Sequence, residues 1–200
     1  GPNGCGKTTL LKLMSTLLPP SKGTLEFPAT SGPRRADIGL MGHDIGIYED
    51  LSAPDNLSVF ARLGGCDPLQ IPGLLETVGL AGRSESVSRF SAGMRRRLAL
   101  ALLLQKQPKL ALLDEPFAGV DPVAVEDIQR IIAHLKKKNI GILITDHNVQ
   151  ETLAITDKTY LMFEGSILKA GTPSELAKDK MVRKVYLGRN FQLRKNKIIF

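Results

Sequence analysis

Apolar residues along the chain alternate between stretches with helical spacing and short continuous runs. Leu10-Leu11-Lys12-Leu13-Met14 is an apolar helical run, broken at Pro19-Pro20-Ser21-Lys22-Gly23. Thr24-Leu25-Glu26-Phe27 then reads as a short strand, and Asp37-Ile38-Gly39-Leu40-Met41 as a second, ending at Gly42-His43. Ser52-Ala53-Pro54-Asp55 fits a capping box with proline in the first turn. It predicts a helix to about Leu63, stopped by Gly64-Gly65. A shorter helix over Ile71–Val78 closes at Gly79. With the helix that starts near Gly93, these predict a helical lobe over about residues 48–106.

The second half is more regular. Leu110–Leu113 and Ile140–Ile144 are continuous apolar runs, as expected of parallel strands covered on both faces. Between them Asp121-Pro122 starts a helix in which Val125, Ile128, Ile132 and Leu135 keep a three-to-four period. Lys136–Lys138 fall in its last turn, where the dipole favours cations. Tyr160–Phe163 and Ile167–Ala170 form a hairpin turned at Glu164-Gly165, and Thr172-Pro173-Ser174-Glu175 caps a C-terminal helical tail over about 173–200. Alternating strands and helices predict an α/β fold with a mainly parallel sheet.

A chain of 200 residues with 42% hydrophobic content can bury one good core or two small lobes. Its longest apolar run, Leu98–Leu104, is seven residues, well short of the ~18 that a membrane helix needs. Cys5 and Cys66 have no metal-ligand spacing and read as thiols in a reducing compartment. The net charge of +7 gathers at the end: residues 178–200 hold eight Lys or Arg against one acid, Asp179. Such a tail suits a nucleic acid, an anionic membrane surface or simply solvent.

The chemistry begins at the first residue. Gly1-Pro2-Asn3-Gly4-Cys5-Gly6-Lys7-Thr8-Thr9 has the spacing of a phosphate loop and runs straight into the first helix. Glycines let successive backbone N–H groups curl around phosphate oxygens, and the helix N-terminus favours the same anion. Lys7 can reach the β and γ phosphates, and the Thr8 hydroxyl can ligate Mg²⁺. Asp114 and Glu115 close the buried strand Leu110–Leu113, at the carboxyl end where open α/β sheets bind ligands. There Asp114 can hold Mg²⁺ through water and Glu115 can polarise an attacking water. His147, just after the next strand, can hydrogen-bond a γ-phosphate. Phe90-Ser91-Ala92-Gly93-Met94 leads into a further helix start, either a plain N-cap or a second anion site. Two half-sites on one chain would both be used by a head-to-tail dimer with nucleotide between its copies.

Gly1–Thr9, Phe90–Met94, Leu112–Glu115, Ala118-Gly119-Val120-Asp121 and His147 stand in the order of the Walker A, signature, Walker B, D-loop and H-loop motifs. The chain thus resembles the ATP-binding cassette ATPases along nearly its whole length. The implied fold is a P-loop NTPase with an inserted helical lobe. The implied cofactors are ATP and Mg²⁺, and the implied assembly is a pair of cassettes, here a homodimer, driving an integral-membrane permease. By the same resemblance Gly1, Asn3, Gly4, Gly6, Lys7, Thr8 and Thr9 bind nucleotide, Asp114 and Thr8 hold the metal, Glu115 is the general base and His147 the γ-phosphate sensor. Ser91 and Gly93 would meet the partner's γ-phosphate, and Asp121 would reach the partner across the interface. The location implied is cytoplasmic, peripheral on the inner face of the cell membrane.

Two positions depart from the family pattern. The signature reads Phe-Ser-Ala-Gly-Met where Leu-Ser-Gly-Gly-Gln is usual, and His43 stands where the Q-loop glutamine normally does. A glutamine offers an oxygen to metal or water at any pH, whereas histidine can accept only when neutral. If His43 takes that catalytic and metal-binding place, hydrolysis falls on acidification through about pH 6, near the imidazole's own titration at ~6.5. His43→Gln then keeps activity and loses that acid limb; superimposable pH profiles at fixed free Mg²⁺ would remove His43 from the mechanism. The family also has a strand before the phosphate loop and an aromatic upstream that stacks on adenine. The expectation is that this sequence is a fragment of a longer subunit, with those N-terminal strands missing.

Within the family, Leu113–Pro122, Ile144-Thr145-Asp146-His147-Asn148-Val149 and Val185-Tyr186-Leu187-Gly188 followed by Phe191 resemble the ATPases of lipopolysaccharide export. Gly42-His43, Tyr48–Ser52 and Phe90–Arg95 are more similar to haem-exporter ATPases of cytochrome c maturation or related efflux cassettes. The balance favours lipopolysaccharide export, with haem export the alternative. A soluble cassette ATPase acting on ribosomes or DNA is a further class, but those usually carry two cassettes or long coiled coils, so nucleic acid is not expected as a partner. Leu57, Val59, Phe60 and Leu63 exceed what one helix face needs, and part of that surface is expected to receive a permease helix.

Overall fold

The computed structural model describes residues 4–27, 37–42 and 46–187. At its centre is β2 (Leu110–Asp114), paired in parallel with β1 (Ile38–Met41) on one side and β3 (Gly141–Thr145) on the other. The register sets Leu112 beside Leu40 and Leu143, so side chains of one parity share a face across all three strands. One face, with Ile38 and Leu112, packs on Leu11 of α1 (Lys7–Met14). The other, with Ala111 and Leu113, packs into the main core beneath α4 (Ala92–Gln105) and α5 (Pro122–Lys137). A strand covered on both sides has no polar face to show, which is why Leu110–Leu113 reads as an unbroken apolar run.

β3 differs from expectation. Its apolar run predicts full burial, yet Ile142, Leu143 and Ile144 are half-buried. It is the last strand of this sheet among the described residues, and a groove of about 510 Å³ lined by Lys7, Leu10, Val149, Leu153 and Leu161 runs along it. Thr24–Phe27 is likewise not a strand. Four residues of strand-like composition form a ladder only against a free edge, and among the described residues none pairs with them.

The helical segment follows its capping signals. Ser52 accepts from the Asp55 N–H at 3.3 Å to open α2 (Ala53–Gly64), and Gly65 closes it at φ 65°, where glycine alone is unstrained. α2, α3 (Ile71–Thr77) and α4 pack on one another, and α4 continues onto β1 and α5. Because α4 lies between helices and sheet, Leu98, Ala99, Leu100, Ala101, Leu103 and Leu104 are all buried around it. Leu57 is fully buried in this core, so it leaves the surface set named from sequence; Val59 and Phe60 are half-buried and Leu63 is exposed.

The remaining elements flank the site. A five-residue helix α6 (Val149–Leu153), not anticipated from the sequence, follows β3. β4 (Thr159–Phe163) and β5 (Ser166–Gly171) form the antiparallel hairpin, with Glu164 and Gly165 both at positive φ as a tight primed turn requires. Thr172 and Glu175 make both bonds of the capping box at α7 (Pro173–Lys178). α8 (Lys180–Val182) and a π-helical turn over Arg183–Leu187 follow.

Candidate functional site

The phosphate loop enters α1 through two left-handed glycines, Gly4 at φ 79° and Gly6 at φ 92°. A side chain at either would meet no atom within 4 Å, so backbone conformation, not space, demands glycine there. Lys7, the first residue of α1, is buried, with its ammonium 3.9 Å from the Cys5 sulfur. Thr8 lies one residue on, and its hydroxyl donates to Asp114 Oδ2 at 2.6 Å. The Thr145 hydroxyl, from the end of β3, donates to Asp114 Oδ1 at 2.5 Å. Asp114 thus joins α1, β2 and β3 at one point. Thr9 is on the exposed side of α1.

Glu115 leaves the strand sharply. Its backbone N–H still donates to the Thr145 carbonyl at 2.7 Å, but its φ is 50°, a conformation that costs roughly 1–3 kcal/mol for a residue with a Cβ. The turn carries the Glu115 carboxylate to 3.6 Å from Nδ1 of His147, which lies equally 3.6 Å from Asp146 Oδ1. Both separations are too long for strong hydrogen bonds. Burial pushes the Asp146 carboxyl above the usual carboxylate range, against the backbone N–H groups of Asn148 and Phe117 that favour its charge. Burial likewise lowers the Arg96 guanidinium, while Asp146, Glu115 and Asp114 oppose that shift. Arg96 reaches the site from α4 and donates to the Gly42 carbonyl at 3.4 Å.

The signature residues lie one turn earlier, at the N-terminus of the same helix. Ser91 caps α4, accepting from the Met94 N–H at 3.3 Å, and its side of the cap is exposed. Gly93 is buried, and a Cβ there would come within 2.4 Å of the Ala124 Cβ. Packing of α4 on α5 therefore requires glycine independently of any ligand. Asp121 caps α5 by accepting from Val123 and Ala124 N–H through Oδ1. Among the described residues, no hydrogen bond or ion pair joins Ser91, Gly93 or Asp121 to the cluster around Asp114. Gly1, Asn3 and His43 lie outside the described residues.

The sequence-derived set Lys7, Thr8, Asp114, Glu115 and His147 thus converges at the carboxyl ends of β2 and β3. Sequence reading passed over Thr145, Asp146 and Arg96. The available signal for the first two was their place between a strand and His147; for Arg96 it was the helical phase it shares with the buried residues Gly93 and Leu100. One hydroxyl and one carboxylate 2.6 Å apart are hard oxygen donors suited to Mg²⁺. Among the described residues no three His, Cys, Asp or Glu side chains are placed to hold a metal ion together.

The ABC transporter family pattern matches residues 1–118. The lipopolysaccharide export system ATP-binding protein LptB of Acidithiobacillus ferridurans is 40% identical over 205 residues, spanning 96% of this chain and 85% of that protein. Its counterpart in Escherichia coli K12 is 38% identical over 209 residues, spanning 96% and 86%. Among solved structures, cbiO1 from Clostridium perfringens, part of the ABC transporter complex cbiONQ, superposes with a TM-score of 0.77. It shares 28% identity over 92% of this chain and 80% of that one.

Proposed function

The chain belongs to the ABC transporter family as its ATP-binding and ATP-hydrolysing component, and from that premise we propose that two copies hydrolyse ATP between them to drive a permease exporting lipopolysaccharide. The observation that carries the ATPase reading is the meeting of Thr8, Asp114 and Thr145 beside Glu115 and His147. The lipopolysaccharide reading rests on the relatives' likeness across 96% of the chain, which includes the helical segment where the haem-exporter resemblance lay.

In this reading the cassette spans residues 1–200, with a helical lobe at about 48–106 and a helical tail at about 173–200. Lys7 and the backbone of Gly1, Asn3, Gly4, Gly6, Thr8 and Thr9 bind the phosphates. Thr8 and Asp114 would hold Mg²⁺, which when bound would supply charge neutralisation to the phosphates. Glu115 accepts a proton from the attacking water as the γ-phosphoryl leaves ADP. His147 bonds a γ-phosphate oxygen. Ser91 and Gly93 address nucleotide held by the partner copy, and Asp121 faces that copy. The subunit sits peripherally on the cytoplasmic face of the membrane.

The permease contact falls on α2. Phe60 lies against Tyr48, ring centroids 5.9 Å apart, with Leu63 exposed a turn further on. Phe60→Asp is expected to abolish co-purification with the permease and leave basal hydrolysis unchanged. A melted far-UV circular dichroism spectrum would instead make Phe60 a core residue, since a buried unpaired charge unfolds its surroundings. Identification of the membrane proteins that co-purify with the full-length subunit tests the wider proposal. A lipopolysaccharide-binding permease is expected; recovery of a haem-export permease would replace the substrate and leave the ATPase assignment standing.

A further inference from the structure

Asp146 is buried next to the site and has no role in the mechanism described above. Its side chain is fully shielded from solvent, and each of its oxygens is taken by a backbone donor. Oδ2 accepts from the Phe117 N–H at 3.1 Å, and Oδ1 from the Asn148 N–H at 2.7 Å. Phe117 stands two residues beyond Glu115, and Asn148 one beyond His147. One carboxylate therefore ties together the two loops that present the base and the sensor. The tie matters most at Glu115, whose positive φ persists only if the neighbouring chain holds it there. Burying a carboxylate is costly, and an amide or apolar side chain would fill the same space more cheaply. Only an ionised carboxylate offers an acceptor on both oxygens at once. Arg96, buried on α4 and donating to the Gly42 carbonyl at 3.4 Å, feels the charge of Asp146, Glu115 and Asp114.

We infer that Asp146 is a positioning residue for hydrolysis, clamping the Glu115–Phe117 turn to the His147 loop so that the base and the sensor keep a fixed separation. The inference rests on the reading of Glu115 as the base. It concerns kcat, because the phosphate loop that binds nucleotide lies on α1 and is not held by this clamp.

Asp146→Asn keeps the shape and one acceptor but turns an NH₂ toward the other backbone N–H. The expected result is a fall in kcat of about 10- to 10²-fold, the scale of an ångström-level misplacement, with KM and fluorescent-nucleotide affinity within about twofold of wild type. Combined with Glu115→Gln, it should add no further loss, because both changes disable the same base. Wild-type kcat, or the same fold loss in the Glu115→Gln background, overturns the inference. So does a lowered melting temperature with unchanged kcat per folded molecule. If Asp146→Asn fails to fold, Asp146→Glu carries the test: both acceptors remain, one methylene too far out, and kcat should drop at constant KM. Normal kcat in that variant likewise overturns it. Glu115→Gln measured alongside separates the two readings. A slow Glu115→Gln beside a normal Asp146→Asn sinks the clamp alone, whereas a normal Glu115→Gln removes the base and the clamp together.

Discussion

Glu115→Gln is expected to bind ATP as the wild type does and to hydrolyse it about 10²–10⁴-fold more slowly, the usual cost of losing a general base. The substitution is nearly isosteric, and the Glu115 backbone stays held by its N–H donation to the Thr145 carbonyl at 2.7 Å. Asp114, Thr8 and Lys7 are untouched, so the nucleotide-binding groups keep their places. What disappears is the acceptor for a proton from water, at a carboxylate set 3.6 Å from His147. Phosphate release under saturating ATP, beside equilibrium binding of a fluorescent analogue, checks both halves. Hydrolysis near the wild-type rate would leave the strained turn at Glu115 without its assigned purpose.

Asp114→Asn should be almost as damaging by a different route. The carboxylate receives the Thr8 hydroxyl on one oxygen and the Thr145 hydroxyl on the other. Either hydroxyl can rotate to accept from an amide NH₂, so the hydrogen-bonded junction of α1, β2 and β3 survives. The melting temperature is therefore expected to stay close to that of the wild type. The group that answers Mg²⁺ is lost, a contribution of several kcal/mol to charge stabilisation, and hydrolysis should fall by on the order of 10²-fold or more at every Mg²⁺ concentration. Wild-type rates restored simply by raising Mg²⁺ would show that Asp114 supplies affinity alone.

Much of this site can be read directly from the sequence because its parts obey local rules. Gly4 and Gly6 need left-handed backbone, Ser52, Asp121 and Thr172 cap helices by contacts within three residues, and β2 is apolar throughout because both its faces are covered. The features that stayed hidden depend on distant chain. Thr24–Phe27 has strand composition, but pairing is decided by a neighbour. The exposure of β3 is set by what lies beside it, not by its own run of apolar residues. Asp146 looks like an ordinary loop acid until Phe117, 29 residues away, is seen to donate to it. Thr145 meets Asp114 across a separation of 31 residues, and α6 is too short to show a period. Gly93 carries a double reading: its motif points to an anion, while its burial against Ala124 would require glycine in any case.

If nucleotide is hydrolysed between two copies of the subunit, Ser91 of one addresses ATP held by Lys7, Thr8 and Asp114 of the other, and Mg-ATP should bring the copies together. The molar mass of the full-length Glu115→Gln subunit, measured by light scattering with and without Mg-ATP, tests it most directly. A dimer that forms on adding ATP, dissolves when ATP is removed and fails to form with Ser91→Arg is the result expected. A monomer at ATP concentrations where binding is saturated would contradict the shared site.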